Sequence, residues 1–405
     1  MNSRTQSLFA AFFILFLDNF GYAVTFPLFP ILLLNEQFGL LAPTQETTRH
    51  IYLGLLVAAY PCAQFFGAPL FGEFADRLGR KKALIWTISG TVCGYFLTSF
   101  AITSGSYALI ILSRLLTGFF AGNLAVCMAI IADLHYVKKA RSKNFGYVAA
   151  CLGISWILAI WVGSIMTSPS LLFGALGLFS FLSLLTLLMF YRESAVPKRS
   201  SHIDLLSGIR QIIHVLENKH MRTLLITLFL WFFGVFLSVQ WAALISIDQF
   251  NEDAPLILKL LVATGLLWTL GGLIIHPWVI RYSSNWKIAL WSLFFICLIY
   301  FFGGVTGFFL YFAVALALSG FFASLAWCTN LSLISLSARA EDQGKSLGTA
   351  LSSIALAEGI GPILGGFVIS FSLETLFFTS ALLVFCSFLV LLTHVMRRKT
   401  NLLKV

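Results

Sequence analysis

The stretch "GEFADRLGRKK", Gly72 to Lys82, packs two acids, four Lys/Arg and two glycines into eleven residues. It lies between two long apolar runs in a chain only 10% charged, so these charges belong in water or at a membrane surface. Gly72 lets another helix approach closely. Asp76 follows four residues later, where it can face a positive helix N-terminus or an arginine. Arg77, Arg80, Lys81 and Lys82 then hold the turn on the positive side of a bilayer.

The rest of the chain fits that setting. Of 405 residues, 59% are hydrophobic, and the mean hydropathy is +0.93. Crossing roughly 30 Å of hydrocarbon takes about 20 apolar residues at about 1.5 Å each. Twelve such spans are expected, near 7–34, 51–72, 83–103, 106–133, 143–167, 170–191, 221–248, 255–280, 287–304, 306–336, 345–370 and 373–395. With the N-terminus inside, all Lys/Arg except Arg49, Lys259 and the intramembrane Arg114 fall on the cytoplasmic side. That bias predicts cytoplasmic termini in a bacterial-type inner membrane. The net charge of +10 then reports topology and contact with anionic lipid rather than nucleic acid, because the bases are scattered. The seven cysteines (62, 93, 127, 151, 297, 328 and 386) all fall in spans and read as packing residues. The first apolar run is too long for a cleaved leader.

Residues 192–220 form the longest polar stretch, basic and opened by "KRSSH". Ile203, Leu206, Ile209 or Ile213, and Leu216 recur at helical spacing behind Ser201 or Asp204, so the segment reads as an amphipathic surface helix or a flexible linker. It separates an N-terminal six-helix bundle, 1–191, from a C-terminal one, 221–405. The halves align: "GFFAGN" (118–123) matches "GFFASL" (320–325), and the same offset carries Gly146 onto Gly348 and Gly163 onto Gly365. "LFLDNFG" (15–21) matches "LFLWFFG" (228–234). Such repeats place a solute path between two halves.

Few charges lie deep in the spans. Asp18 and Glu358 are the deep acids and Arg114 the deep base, each roughly 12–20 Å from a membrane face by rise per residue. A charge there costs several kcal/mol unless paired or hydrated, so each needs a reason. Asp18 and Arg114 share a half and could pair; Glu358 lies in the other. Tyr22, Gln64, Asn123, Gln240, Trp241 and Asn330 are candidates for the wall of a solute cavity, with Tyr60, Trp327 and His276 behind them. His276 could instead stand at the inner mouth. Each is also a reasonable helix–helix contact. Pro27 and Pro30, and the block Gly361, Pro362, Gly365 and Gly366, free carbonyls and allow bending. There is no nucleotide-binding loop, zinc motif or hydrolase elbow, so the chain does not read as an enzyme or as needing a cofactor or metal.

The opening stretch resembles, position by position, the loop signature of the major facilitator superfamily. "DNFGYAVTFPLFP" (18–30) and "RLLTGFFAGN" (114–123) resemble signatures of its drug/proton antiporter branch, which includes the tetracycline exporters. The resemblance implies an all-α fold of twelve helices and transport by alternating access, driven by the proton gradient. It links the arginine at Arg114 to proton transfer; by their depth Asp18 and Glu358 are the candidate proton carriers, and Arg114 would bias their pKa values or hold an anionic substrate group. It further implies that Gly72, Asp76, Arg77, Gly79, Arg80 and Asp133 form a cytoplasmic gate in which Asp133 engages Arg80. The expected partners are a small organic solute, protons and lipid, with the chain a monomer. One departure bears on direction. The antiporter glycine block expected on the fifth span is eroded to Gly146, Ser155, Ala159, Ile160, Gly163 and Ser164, and appears on the eleventh beside Glu358. Export is therefore the first expectation, and import of a nutrient, metabolite or metal-chelate by symport the alternative.

Overall fold

The computed structural model describes residues 3–34, 46–133, 138–166, 168–191, 193, 213, 215–248, 250, 254–305, 308–369 and 372–402. Most of the 192–220 stretch, with its expected surface helix, lies outside them, as do the side chains of Pro30, Pro362 and Gly366. The described residues form α1 (Ser3–Ala23), α2 (Thr25–Leu34), α3 (Glu46–Leu78), α4 (Arg80–Thr103), α5 (Tyr107–Phe119), α6 (Asn123–Asp133), α7 (Lys138–Ile165) and α8 (Pro169–Phe190). Then follow α9 (Lys219–Asp248), α10 (Ala254–Leu270), a π-helical turn (Gly271–Ile275), α11 (His276–Val279), α12 (Asn285–Val305), α13 (Phe309–Ser337), α14 (Gln343–Ile369) and α15 (Leu373–Leu402). No strand occurs among the described residues.

Eleven stretches of these helices are long and apolar enough to cross a membrane. The remaining expected span, 345–370, the eleventh in chain order, forms as the 27-residue α14, rich in serine and glycine and carrying Glu358. Large apolar side chains stand on the outside: Trp86 is 61% exposed, Leu171 73% and Met189 75%. That surface is viable in hydrocarbon, where only helices satisfy every backbone group internally. The fold is that of a multi-pass membrane protein.

The chain packs as two compact units. The first holds residues 1–136, 154–212 and 338–355, and the second holds 137–153, 213–337 and 356–405. Within the first, α4 packs on α8 and α5, α3 on α5, and α1 on α8 and α6. Within the second, α9 and α12 pack on α15, and α10 and α12 on α13.

Three interruptions position the side chains that matter. The first span is two helices. Pro27 has no N–H to offer the Ala23 carbonyl four residues back, and its ring crowds it, so α1 stops at Ala23. Thr25 Oγ1 donates to the Tyr22 carbonyl (2.7 Å) across the joint. The fourth span was expected as one helix and is also two. It breaks over residues 120–122, where Ala121 N donates to Gly118 O (3.0 Å) and Gly122 N to Phe120 O (2.8 Å). The aligned stretch in the second half, 320–325, runs unbroken inside α13, with Ser324 in the place of Gly122. A close crossing accompanies the break: a methyl group on Gly118 would run into the Tyr60 carbonyl, and one on Gly67 into Phe119. The third interruption is a single residue. Gly79 (φ 98, ψ 153) alone separates α3 from α4, in a backbone region essentially confined to glycine.

Gly79→Ala is expected to strain that joint by roughly 1–3 kcal/mol. Gly54 is helical and faces open space, so Gly54→Ala removes backbone freedom at no steric cost. Thermal unfolding of the purified protein in detergent should fall by several degrees for Gly79→Ala and hold or rise for Gly54→Ala. Equal midpoints would show that the joint tolerates a side chain.

Candidate functional site

In the first unit, the opening stretch ends in a network built on one carboxylate. α3 carries Asp76 to the N-terminus of α14, where it accepts from Gly344 N (3.0 Å) and Lys345 N (2.7 Å). These are amides that a helix start leaves without internal partners, and the helix dipole favours an anion there. Arg80 Nη1 donates to the same carboxylate from four residues on, and Arg80 Nε donates to Asp133 Oδ2 (3.1 Å) at the end of α6. Arg80 is 1% exposed and Asp76 8%, so this is no loose surface pair. Arg77 pairs with Glu73 one turn earlier. Glu193 closes the joint from another side, accepting from Arg80 N and Lys81 N (3.0 Å each) at the start of α4. The approach that permits all this is glycine on glycine: a methyl group on Gly72 would strike the Gly344 carbonyl, and one on Gly344 the Gly72 carbonyl. Further along, Pro69 leaves the Phe65 carbonyl without its helical donor, and Ser352 Oγ of α14 supplies one (2.8 Å).

Deeper in the same unit, Asp18 accepts from Asn123 Nδ2 (2.9 Å), and Asn123 sits at the first position of α6, just past the break. Beside them lies a polar cavity with room for about one water molecule, also lined by Thr91, Ser180 and Ser183. Asn123 Oδ1 is buried with no hydrogen-bond partner. Gln64, a candidate for the cavity wall, reaches the break, its Nε2 donating to the Ala121 carbonyl (3.4 Å).

The possible pairing of Asp18 with Arg114 is not formed. The Arg114 guanidinium lies over two rings instead, 5.2 Å from the centroid of Tyr60 and 5.7 Å from that of Phe29. It is 1% exposed, and neither Nη1 nor Nη2 has a hydrogen-bond partner. Two cation–π contacts contribute about 1–4 kcal/mol together. An unpaired buried charge costs several kcal/mol, so the rings offset only part of it. Tyr22 stacks on Tyr60 (4.9 Å) and meets Phe26 edge-on, and Phe26 in turn packs on Trp156 (4.8 Å). Tyr95, fully buried, lies within electrostatic reach of both Asp18 and Arg114. Gly21 makes room for it, since a methyl group there would collide with the Tyr95 phenol. Sequence reasoning missed Tyr95 and Phe29. The signal for Tyr95 was Gly21, which a tight neighbour had to explain.

In the second unit, the glycine block of α14 serves as a seat for α9. A methyl group on Gly361 would meet Gln240 Oε1 at 3.4 Å, and one on Gly365 would strike the Trp241 indole nitrogen. Gln240 Oε1 and Trp241 Nε1 are both buried without hydrogen-bond partners. Glu358 is buried in α14, and Asn330, 2% exposed on α13, has an unpartnered Oδ1. His276 is wholly buried rather than at a mouth. Its Nε2 lies 3.4 Å from Ser142 Oγ, which donates to Asn285 Oδ1 (2.8 Å), and Asn285 Nδ2 donates to Ser332 Oγ (3.0 Å). Here too two glycines meet: a methyl group on Gly146 would lie 2.6 Å from the Gly272 carbonyl. The described residues hold no cluster of His, Cys, Asp and Glu suited to a metal ion.

The comparisons with known proteins agree with this architecture. The chain is 28% identical over 203 residues to the class H tetracycline resistance protein of Pasteurella multocida, covering 48% of each chain. It is 26% identical over 295 residues to the quinolone resistance protein NorA of Staphylococcus aureus, covering 71% of each. The chain spans about half the length, or less, of the first curated relatives it matches. In structure it resembles the human organic anion transporter MFSD10, with a TM-score of 0.83, 21% identity, and coverage of 96% of this chain and 100% of that one. At that identity the likeness is one of fold. The family model described as Major Facilitator Superfamily matches residues 11–290 and 260–404. The chain belongs to the Major Facilitator Superfamily, a class of transport proteins rather than enzymes.

Proposed function

We propose that this transporter moves a small organic solute outward across a bacterial-type inner membrane, in exchange for protons, with both termini in the cytoplasm. The observation that carries the reading is Asp18, an intramembrane carboxylate held by Asn123 beside a water-sized polar cavity. A water there gives a proton a way on and off the carboxylate, and acids in such positions mark proton paths. Glu358, buried beside the glycine block of α14, is the second proton carrier. Relatives named for resistance to tetracycline and to quinolones support the outward direction, because resistance is what a falling internal concentration produces. The eroded block on α7 favours symport import as the second reading. The candidates for substrate contact are Tyr22, Gln64 and Asn123 in the first unit and Gln240, Trp241 and Asn330 in the second, with the chain working as a monomer.

Asp18→Asn and Glu358→Gln should each abolish uphill transport in proteoliposomes while leaving downhill exchange of solute measurable. Full gradient-driven movement in the double variant would remove both acids from the mechanism. For direction, cells carrying the gene should hold less of a transported solute than cells without it, and an uncoupler should erase the difference. Accumulation that an uncoupler abolishes would assign import.

In this reading the Asp76 network is a latch on the cytoplasmic side, supported by its burial and by its use of a helix N-terminus. Asp76→Asn should weaken the latch by about 1–2 kcal/mol, roughly a tenfold shift between conformations. Spin labels at the exposed positions Lys82 and Glu341, with the exposed Cys62, Cys93 and Cys386 replaced, should report a longer mean distance in the variant. An unchanged distance distribution would leave the motif with a purely topological role.

A further inference from the structure

We infer that the cavity beside Asp18 is a site for a sodium ion, which keeps the proton off that carboxylate while it is bound. The inference rests on the transporter reading and adds a second cation to the acid that carries it. The cavity lies among α1, α4, α6 and α8, which bring Asp18, Thr91, Asn123, Ser180 and Ser183 to one water-sized space. Each of these side chains offers oxygen. Two of the hydroxyls have their hydrogens committed elsewhere: Thr91 Oγ1 donates to the Thr87 carbonyl (3.0 Å) and Ser183 Oγ to the Ser180 carbonyl (2.7 Å). What they have left to present is lone pairs. Asn123 uses an amide hydrogen on Asp18, and its Oδ1, in a residue 2% exposed, has no hydrogen-bond partner. The lining is therefore rich in acceptors and poor in donors. A water molecule brings hydrogens and lone pairs in equal number, and its lone pairs find little to receive here. A hard cation takes oxygen ligands alone, and so answers the whole lining.

Size and charge select the cation. Space for about one water admits a small bare ion and not one that keeps its hydration shell. A single carboxylate balances a single positive charge, whereas a divalent ion would leave a costly net charge in hydrocarbon. Ion and proton compete because both need the same carboxylate in a space for one occupant. Few other groups titrate beside it. α2 and α8, which pack on α1, carry no titratable residue, and α6 carries only Cys127 and Asp133, the latter held by Arg80. α4 contributes Tyr95, in electrostatic reach of Asp18 and of Arg114 on α5.

The test is equilibrium binding of radiolabelled sodium to the purified full-length protein in detergent, at mildly alkaline pH with choline as the background cation. One ion per chain should bind saturably, and lithium should displace it far better than potassium. Acidification should weaken binding, by up to about tenfold per pH unit. Asp18→Asn should abolish binding, and the isosteric Thr91→Val should weaken it several-fold, as should Ser183→Ala. If Asp18→Asn does not fold, the two hydroxyl variants decide the matter. No saturable binding of sodium overturns the inference, as does binding undiminished in Asp18→Asn or unchanged in both hydroxyl variants. Displacement by potassium as readily as by lithium, or an affinity indifferent to pH, overturns it too. Sodium that binds while proton-driven movement of solute fails would sink the exchange reading alone. Proton-driven movement in a protein that binds no sodium would sink this inference alone.

Discussion

The Asp76 carboxylate is the constraint on which the first unit depends. One side chain fills two unpaired amides of α14 and neutralises Arg80, whose other edge is held by Asp133 at the end of α6. Four helix termini thus meet at a single buried charge cluster, and none of the three charges is tolerable there without the others. The geometry leaves no freedom upstream. Asp76 reaches the amides only because Gly72 and Gly344 allow backbone contact, and Arg80 faces back only because Gly79 turns the chain in one residue. The same spacing in "GEFADRLGRKK" therefore encodes a crossing, a charge and a turn.

Much of this was legible in the sequence because charge is scarce in it. In a chain this apolar, each buried acid or base demands a partner, and the partners of Asp76 were predictable as a helix start or an arginine; it has both. The helix count was equally legible, since hydrocarbon thickness fixes the length of an apolar run. The break at 120–122 was not. Its residues are as apolar as their surroundings, and the matching "GFFA" of the second half stays helical. What differs is tertiary: Gly67 and Gly118 crossing, Gln64 at the Ala121 carbonyl, and Asn123 turned toward Asp18. None of these is local. Arg114 failed to pair with Asp18 for the same kind of reason, because depth along the membrane says nothing about which way a side chain points around a helix.

The two units solve a similar problem with different chemistry. In the first, a glycine pair is joined by a charged network on a helix terminus. In the second, Gly146 and Gly272 meet with equal closeness, but the polar groups beside them are His276, Ser142, Asn285 and Ser332. The internal repeat has kept the shape of the contact and exchanged its electrostatics. The stretch at 276–287 accordingly shares the glycine contact, but not the charges, of the one at 72–82.

Pro69 shows how a residue usually regarded as a defect in a helix becomes an attachment point. By withholding its own N–H, it leaves the Phe65 carbonyl open, and Ser352 fills it. Replacing Pro69 with alanine would let α3 bond that carbonyl internally and strand the Ser352 hydroxyl. The helix itself would become more regular while its hold on α14 became weaker. The imperfection of one helix is thus a measure of its adhesion to another.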